Sequence, residues 1–564
     1  MKISNKKLFV IDSLLSISLI IYFFYIFFAT TSNIPINDDY QVLNNFTDII
    51  NSNSFLDKIK LFYEQHNEHR ILYDKIWFFI DYKLSQQVNF NHLSFIGNLS
   101  LVGIFIFFIK KSENIKKDVL ILIPLSVLIF NMTFHENITF TMASLSNFTV
   151  LLFSLLSIHF ITKNELNNRD FALSILFLLC SAFTQGAGLF LILIIASILL
   201  YKKEKKYLYT FLFIASILIF IYFIGYQKPP GSPEIFETIR NYKFRSFLFS
   251  FSFLGNIFAR YLIFTNDINE SLMLSTSVGF MFFALYLYLI KTKYFKKNLF
   301  IFSVMSLIIL TAFITGITRS QLGIEMSIAS RYRINSCIFL ICVLYYCVEC
   351  FPRDKFNISY LNGALLILSI AYFFGISYPQ KEYLEFRKKQ NYFGVLSYND
   401  GNHKDLNGFY QDFYKDVLIK SSISEIYFLP NEEEVSKQVN YSNSVKKDIS
   451  KYEYNSITGN IDKIVNFKNS VYIEGWAFID DLNTKNQELT LAVEDTITKE
   501  KKFFKGQKIK RYDLNPYFKK DKLEDGGCVF RIKNEDLAAN YTRMYLIVNN
   551  NGQNKIFNTE KKLR

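Results

Sequence analysis

The sequence contains few of the residues that build small secreted domains and loop-rich folds: six cysteines, nine prolines and 21 glycines among 564 residues. Five of the cysteines lie inside or at the end of long apolar runs and only Cys528 lies outside them, which excludes a disulfide framework. No cleavage site of small residues follows the first apolar run. We therefore expect residues 8–28 to form a retained anchor helix and not a removed signal.

Basic residues outnumber acidic ones by 14, a balance that is compatible with nucleic-acid binding. The lysines, however, stand in short clusters between apolar runs: Lys110, Lys111, Lys116 and Lys117; Lys202, Lys203, Lys205 and Lys206; Lys291, Lys293, Lys296 and Lys297. Clusters of this kind mark cytoplasmic loops by the positive-inside rule. We therefore predict that the lipid bilayer is a partner of this chain and that nucleic acid is not.

Hydrophobic residues make up 51% of the chain and are collected into runs of the length that crosses a hydrocarbon core. Eleven crossings are predicted, at residues 8–28, 93–109, 118–134, 142–161, 171–184, 187–200, 208–225, 273–290, 298–315, 334–350 and 359–377. The sequence thus predicts an α-helical polytopic membrane protein with a cytoplasmic N-terminus and an outer C-terminal part. The excess of Phe, Ile, Tyr, Lys and Asn favours a bacterial cytoplasmic membrane.

Two apolar segments do not follow the simple pattern. The runs at 171–184 and 187–200 are short and flanked by basic residues, so we expect them to form a hairpin or to dip only part of the way, in a thinned or water-filled region. The run at 244–264 is interrupted by Arg245, Gly255, Asn256 and Arg260. We expect it to lie as an interfacial helix on the outer face.

The character of the chain changes after the last apolar run. We divide it into a transmembrane domain (1–378), a mixed linker or helical region (379–458) and an extracytoplasmic domain (459–564). The last part alternates short apolar stretches with turn residues, which predicts a soluble β-sandwich-like domain with a hairpin turn at 549–552. Trp476 in this part either packs in the core or stacks on a sugar.

The first predicted outer loop opens with Asn37, Asp38, Asp39 and Tyr40. A carboxylate shielded by membrane and protein has a raised pKa, which suits it to act as a general base. The alternative is that these residues start a helix or end a solvated loop.

The same loop carries His66, Glu68, His69 and Arg70. On a helix, Tyr63, His66, Asn67 and Arg70 would share one face and could converge on one ligand. The alternatives are a polar amphipathic helix on the membrane surface and a metal site, for which the spacing of these residues is poor.

Two further outer loops carry ionisable residues. His135 and Glu136 stand at a turn between two crossings, where they either anchor the turn or face the same cavity as Asp39; the late loop carries Arg319, Arg331, Tyr332 and Arg333. Positive charge on the outer side is not explained by the positive-inside rule. Guanidinium groups there suit a phosphate or pyrophosphate, or else anionic lipid headgroups.

The acidic pair, the long helical first loop and the late arginine-rich loop together resemble the C-type glycosyltransferases, polytopic enzymes that take a sugar from a polyprenyl-phosphate carrier and transfer it on the outer face of the membrane. Asn37 to Tyr40 match the acidic first-loop motif of that family. The resemblance covers about two thirds of the chain by architecture but only a handful of residues by motif. The Trp-Trp-Asp motif of the oligosaccharyltransferases is missing, so transfer to asparagine is not expected.

The resemblance implies that Asp39, with Asp38 as second choice, takes the proton of the acceptor hydroxyl, and that Arg331 and Arg333 hold the donor phosphate. The first-loop residues from His66 to Arg70 would line the donor or acceptor cleft. The expected acceptor is a surface polysaccharide or glycolipid, such as O-antigen of lipopolysaccharide, a capsule or a wall polymer. No metal ligand is assigned, and a divalent metal cofactor stays open. The rival functions are a polysaccharide polymerase, ligase or flippase, and a non-catalytic membrane protein of envelope polysaccharide assembly.

Overall fold

The computed structural model describes residues 5–112, 119–229, 235–259, 268–351, 357–447, 452–511, 513–537 and 540–563. Lys116, Lys117 and Arg260, which the sequence analysis singled out, lie outside these ranges. The chain forms two compact units. The first comprises Met1–Arg260, Asn269–Lys388 and Asn407–Leu429, and the second comprises Tyr261–Ile268, Lys389–Leu406 and Pro430–Arg564.

The first unit is helical and is built around one continuous apolar core. Its α-helices are Asn5–Thr30, Asp38–Asn51, Phe55–Tyr63, Leu72–Ser85, Phe90–Ser112, Leu122–Ile129, His135–Thr139, Thr141–Ala143, Thr149–Ile161, Asn168–Ala182, Leu191–Lys202, Lys205–Phe223, Ile235–Asn241, Lys243–Gly255, Ile268–Lys291, Leu299–Arg319, Arg333–Cys350, Ile358–Tyr372 and Gln411–Ile423. A further helix, Gln380–Asn399, contains the boundary at Lys388.

Among the described residues, eight helices are long and apolar enough to cross a membrane. They are Phe9–Thr30, Phe90–Lys111, Thr141–Ile161, Lys205–Phe223, Ile268–Lys291, Leu299–Leu322, Ser330–Cys350 and Ile358–Asn399. Each coincides with a predicted crossing, which supports the predicted class of helical membrane protein. The predicted total of eleven crossings and the orientation of the termini stay predictions.

The predicted crossing at 118–134 contains only a short helix, Leu122–Ile129, which is about 12 Å long at the usual rise per residue. The helix begins where it does because the buried carboxylate of Asp12 accepts hydrogen bonds from the first backbone N–H groups, at 2.9–3.1 Å. It ends before Asn131, whose side chain accepts from the N–H of Thr133 and starts a new turn.

The runs predicted at 171–184 and 187–200 form two helices joined by a short turn, and their path in the membrane stays a prediction. Helix Asn168–Ala182 is followed by a 3-10 turn, Gly186–Phe190, and by helix Leu191–Lys202. The turn is so tight that a Cβ atom on Gly188 would lie 2.3 Å from the carbonyl oxygen of Ser181. Only glycine therefore fits at this position.

Helix Lys243–Gly255 lies in the segment predicted as an interfacial helix, whose position relative to the membrane stays a prediction. Helix Lys243–Gly255 is buried at most positions of its second half, and it packs against the helices Ile268–Lys291 and Leu299–Arg319. Small residues allow the close approach: a Cβ atom on Gly279 would lie 1.7 Å from the carbonyl oxygen of Phe251. Of the interruptions named above, Gly255 and Asn256 are buried, whereas Arg245 is exposed.

The described residues of the second unit form nine strands: β1 Ser444–Val445, β2 Ile457–Asn466, β3 Ser470–Ile479, β4 Glu488–Asp495, β5 Lys501–Lys505, β6 Gln507–Ile509, β7 Gly527–Lys533, β8 Tyr541–Asn550 and β9 Gln553–Lys562. They form two antiparallel sheets, in the orders β1-β5-β4-β8-β9 and β2-β3-β7-β6. One core takes side chains from both sheets, so the predicted sandwich-like arrangement is present.

Two local predictions for this unit can be compared with the structure. Asn551 and Gly552 form the predicted turn between β8 and β9, with φ of 51° and 87°, as a tight hairpin turn requires. Trp476 is 9% exposed and packs with Phe478 and Phe518, so it belongs to a small apolar core. This burial favours the core reading of Trp476 over sugar stacking.

Replacing Gly279 with alanine tests the packing of the helix pair. The added methyl group meets the backbone of Phe251, and overpacking of this kind costs about 1–3 kcal/mol. Gly363→Ala is the matched control, because a Cβ atom there has nothing within 4 Å. We expect the thermal unfolding midpoint in detergent to fall for Gly279→Ala and to stay at or rise above the wild-type value for Gly363→Ala, because alanine favours a helix; equal midpoints of the two variants would contradict the observed packing.

Candidate active site

The acidic pair of the first loop stands at the start of helix Asp38–Asn51, after Asn37 in a left-handed conformation with φ of 49°. Asp38 and Asp39 are the first two residues of the helix, where free N–H groups favour negative charge. Because successive helical residues point about 100° apart, the two carboxylates enter different surroundings.

Asp39 points into the protein. It is 1% exposed, and its two carboxylate oxygens accept hydrogen bonds from the backbone N–H groups of Met142 (2.8 Å) and Ile36 (3.1 Å). Burial raises the pKa of Asp39 to about 8, although these backbone hydrogen bonds act in the opposite direction. Its position makes it an anchor between the first loop and the helix that contains Met142.

Asp38 faces a cluster of charged side chains. It accepts a hydrogen bond from the side chain of Asn67 and interacts electrostatically with Arg331, Glu68 and Arg319. Burial raises the pKa of Asp38, and the two guanidinium groups partly offset that rise. The geometry therefore favours Asp38 over Asp39 as the residue that can exchange a proton with a ligand.

The segment from His66 to His69 is a tight turn, so the predicted helical face is wrong. Helix Phe55–Tyr63 has already ended, and the backbone N–H and carbonyl groups of His66 and His69 bond to each other at 2.8 Å in both directions. Asn67 takes up the left-handed conformation, with φ of 47°, that such a turn needs and that Asn tolerates. Tyr63, His66, Asn67 and Arg70 therefore do not share one helical face.

The turn sends two of its side chains towards a cavity. Glu68 Oε2 lies 3.0 Å from Arg319 Nη2, and both side chains are about a third exposed or less. Burial acts to raise the pKa of Glu68, but Arg319 and His69 outweigh it and hold the pKa below its usual value. His69 Nδ1 has no hydrogen-bond partner among the described residues, and a Cβ atom on Gly186 would lie 2.9 Å from it.

The other two predicted residues of this loop serve the fold. His66 is 3% exposed, and burial lowers its pKa to about 3, so it stays neutral. Arg70 is 4% exposed and donates to the carbonyl oxygens of Tyr222 (2.9 Å) and Ile224, at the end of helix Lys205–Phe223. A cation in this position stabilises the carbonyl end of a helix.

The loop that carries His135 and Glu136 contacts the late loop that carries Ser330 and Arg331. Glu136 Oε2 accepts a hydrogen bond from the backbone N–H of Arg331 at 3.1 Å, and the backbone N–H of Glu136 donates to Ser330 Oγ at 3.0 Å. His135 is buried beneath Tyr383, with ring centroids 4.4 Å apart, and burial lowers its pKa. Glu136 and His135 thus fix the backbone that carries Arg331.

The two predicted phosphate-binding arginines have different environments. Arg331 Nε has no hydrogen-bond partner among the described residues, and the guanidinium carbon lies 5.4 Å from the ring centre of Tyr332. Arg333 is 1% exposed and donates to Asn256 Oδ1 (3.1 Å) and to the carbonyl oxygen of Thr133 (3.4 Å). Arg331 thus interacts electrostatically with Asp38, whereas Arg333 holds neighbouring segments together.

Sequence reasoning missed a chain of amide side chains next to this cluster. Gln185 Nε2 donates to Asn147 Oδ1 at 2.7 Å, and Asn147 Nδ2 donates to Asn137 Oδ1 at 2.9 Å. Asn147 lies in a π-helical stretch, Ser144–Phe148, within an apolar run. A lone amide in such a run is the signal that could have pointed to it.

A cavity of about 640 Å³ opens beside these residues. Its polar wall includes Glu68, His69, Asn147, Gln185 and Arg319, and its apolar wall includes Leu151, Phe190, Phe253, Leu307 and Ile314. Tyr332 also lines it. The volume lies within the usual range for ligand sites, and the division of polar and apolar surface suits an amphipathic ligand.

The described residues contain no group of three His, Cys, Asp or Glu side chains placed to hold a metal ion. The divalent metal left open by the sequence therefore has no ligand set assigned among them.

No protein-family model, curated protein or solved structure matches the chain. The resemblance to the C-type glycosyltransferases therefore remains an expectation drawn from a few residues and the architecture. Function has to be argued from the chemistry of the site itself.

The different roles of the two aspartates can be tested by their effects on stability. Asp39→Ala leaves buried backbone N–H groups without acceptors, which costs about 1–3 kcal/mol, whereas Asp38→Ala removes a side chain that supports no backbone group. We expect thermal unfolding in detergent to give a lower midpoint for Asp39→Ala and a midpoint near wild type for Asp38→Ala.

The pH dependence gives a second readout for Asp39. Because its pKa in the folded state is raised to about 8, its neutral form contributes stability that is fully present below pH ~4 and is lost as the pH rises to ~8. The gap between wild type and Asp39→Ala should therefore be larger at pH ~5 than at pH ~9. A gap that grows with pH would contradict this assignment.

Proposed function

We propose that the chain is a membrane glycosyltransferase that moves a sugar from a polyprenyl-phosphate donor to a surface polysaccharide or glycolipid. The observation that carries the proposal is the two-sided cavity, whose polar wall includes Glu68 and Arg319, two residues that interact electrostatically with Asp38. An isoprenoid chain needs an apolar wall, whereas its phosphate and sugar need charge and hydrogen-bond partners at one end. The cavity offers both.

The polar end supplies positive charge for the phosphate of the donor. Arg331 has an unpartnered Nε atom among the described residues, and Arg319 lies at the cavity wall in an ion pair with Glu68. A guanidinium group binds phosphate oxygens through two parallel hydrogen bonds. Asn147, Gln185 and His69 add neutral polar groups of the kind that orient a sugar.

In the proposed reaction, Asp38 takes the proton from the acceptor hydroxyl, and the hydroxyl oxygen attacks the anomeric carbon of the donor sugar. The bond between that carbon and the phosphate oxygen breaks, and its electron pair leaves with the lipid phosphate. Arg331 and Arg319 stabilise the charge that develops on the leaving phosphate. Because burial raises its pKa, the carboxylate of Asp38 is a stronger base than an exposed aspartate.

This assignment differs from the sequence-based one in two residues. Asp38 replaces Asp39 as the proposed base, because both oxygens of Asp39 bind backbone N–H groups. Arg319 replaces Arg333 as the second phosphate ligand, because Arg333 is enclosed by Asn256 and Thr133.

Composition and linkage analysis of the surface polysaccharide tests the proposal in a deletion strain of the source organism. Complementation with wild type should restore a missing sugar, and Asp38→Asn should lower its content at least ~100-fold, the usual contribution of a general base. Asp48→Asn is the control on the same helix; Asp48 forms a half-exposed ion pair with Lys420 at 2.7 Å.

The control should restore the sugar fully. If Asp38→Asn also restores it, the proposed base is wrong. If the deletion changes only the length of the polymer or leaves the polysaccharide unaltered, the transferase is excluded in favour of a polymerase or of a non-catalytic role.

A further inference from the structure

A second cavity, of about 860 Å³, lies in the same helical unit and shares no residue with the first. It is lined by five lysines: Lys111, Lys163, Lys202, Lys296 and Lys297. They come from four separate stretches of sequence that the fold brings together. The positive-inside rule accounts for lysines at the ends of membrane helices, but it does not require them to converge on one cavity.

The carboxylate that lines this cavity already accepts hydrogen bonds from neighbouring side chains. Glu349 is the carboxylate in the described lining, and its two oxygens accept hydrogen bonds from the hydroxyl of Tyr294 (2.7 Å) and the amide of Asn298 (2.6 Å). Lys163 is neutralised by Asp170 at 2.7 Å. The remaining lysines have no carboxylate within ion-pair distance in the part of the chain that the structure describes.

Two lysines are placed to bind a ligand. The ammonium group of Lys111 lies 4.4 Å from the ring centre of Phe300, which holds it at the cavity wall. Lys296 is exposed at the end of a short 3-10 turn, Tyr294–Lys296. By contrast, two other lysines bind backbone groups. Lys202 donates to the carbonyl oxygen of Lys163, and Lys297 donates to that of Glu349.

Part of the cavity lining is apolar and aromatic. Phe295, Leu299, Phe300 and Val348 line it, and the ring of Tyr201 packs against Phe295 with centroids 5.3 Å apart. A small inorganic ion would leave these walls uncovered. A ligand that joins a phosphate to an apolar part would use both kinds of surface.

We propose that this cavity is a second binding site, for the phosphate group of an anionic ligand, with Lys111 and Lys296 as the principal phosphate ligands. The same chemistry is offered by the headgroup of an anionic phospholipid and by a soluble phosphate compound. The site is independent of the proposed sugar transfer, since it uses none of the residues assigned to that reaction.

Native mass spectrometry of the purified full-length protein tests the proposal, with phosphatidylglycerol and phosphatidylcholine as probes. Lys111→Gln combined with Lys296→Gln should reduce bound phosphatidylglycerol at least ~10-fold, because two charge-assisted contacts are lost. The matched control is Lys110→Gln combined with Lys291→Gln, two exposed lysines outside the cavity with the same change in net charge. It should bind as wild type does.

Lys111→Arg combined with Lys296→Arg should restore binding, which separates lost charge from lost folding. A parallel measurement of thermal stabilisation by inorganic phosphate distinguishes the sources. Stabilisation that the glutamine variant abolishes, without a preference for phosphatidylglycerol, identifies a soluble ligand; preference for phosphatidylglycerol without stabilisation identifies a lipid. Equal binding of both lipid probes by wild type and the glutamine variant together with no stabilisation by phosphate, or an equal loss in the control, would overturn the proposal.

Discussion

The buried carboxylate of Asp39 joins the start of helix Asp38–Asn51 to the backbone N–H group of Met142, about a hundred residues further along the chain. The contact fixes the orientation of the first helical turn. Because Asp39 is directed inwards, Asp38 must point elsewhere, and it faces the guanidinium groups of Arg331 and Arg319. The chemistry proposed for Asp38 thus depends on the structural role of its neighbour.

The rest of the site follows the same division between anchoring and acting residues. Three of the residues are buried: Arg70, Arg333 and His66. Arg70 donates to the carbonyl oxygen of Tyr222 at the end of a helix, and Arg333 donates to the side-chain oxygen of Asn256. Glu68 and Arg331, which stand close to them in sequence, reach the charged cluster. Buried ionisable groups are costly inside a membrane protein, and each anchoring arginine offsets that cost by binding backbone or amide oxygens.

The sequence predicts the long apolar helices and the strands of the C-terminal unit well, because length and alternation of apolar residues are local properties. It fails where a single polar residue breaks a local pattern and where a distant partner decides the conformation. Asn67 turns the chain between His66 and His69 and ends any helical face, and Asn131 stops a helix that hydropathy alone would extend. Burial of Lys243–Gly255 depends on glycines of two other helices, which no local pattern reveals.

The most direct test of the account is photo-crosslinking of the protein in membranes with a polyprenyl phosphate that carries a diazirine in its isoprenoid chain. The account predicts crosslinks in helix Leu299–Arg319 and in the turn Gly186–Phe190, which line the cavity, and their loss on addition of unlabelled polyprenyl phosphate. Crosslinks confined to helix Ile268–Lys291, which does not line the cavity, or crosslinks that unlabelled carrier leaves unchanged, would contradict it.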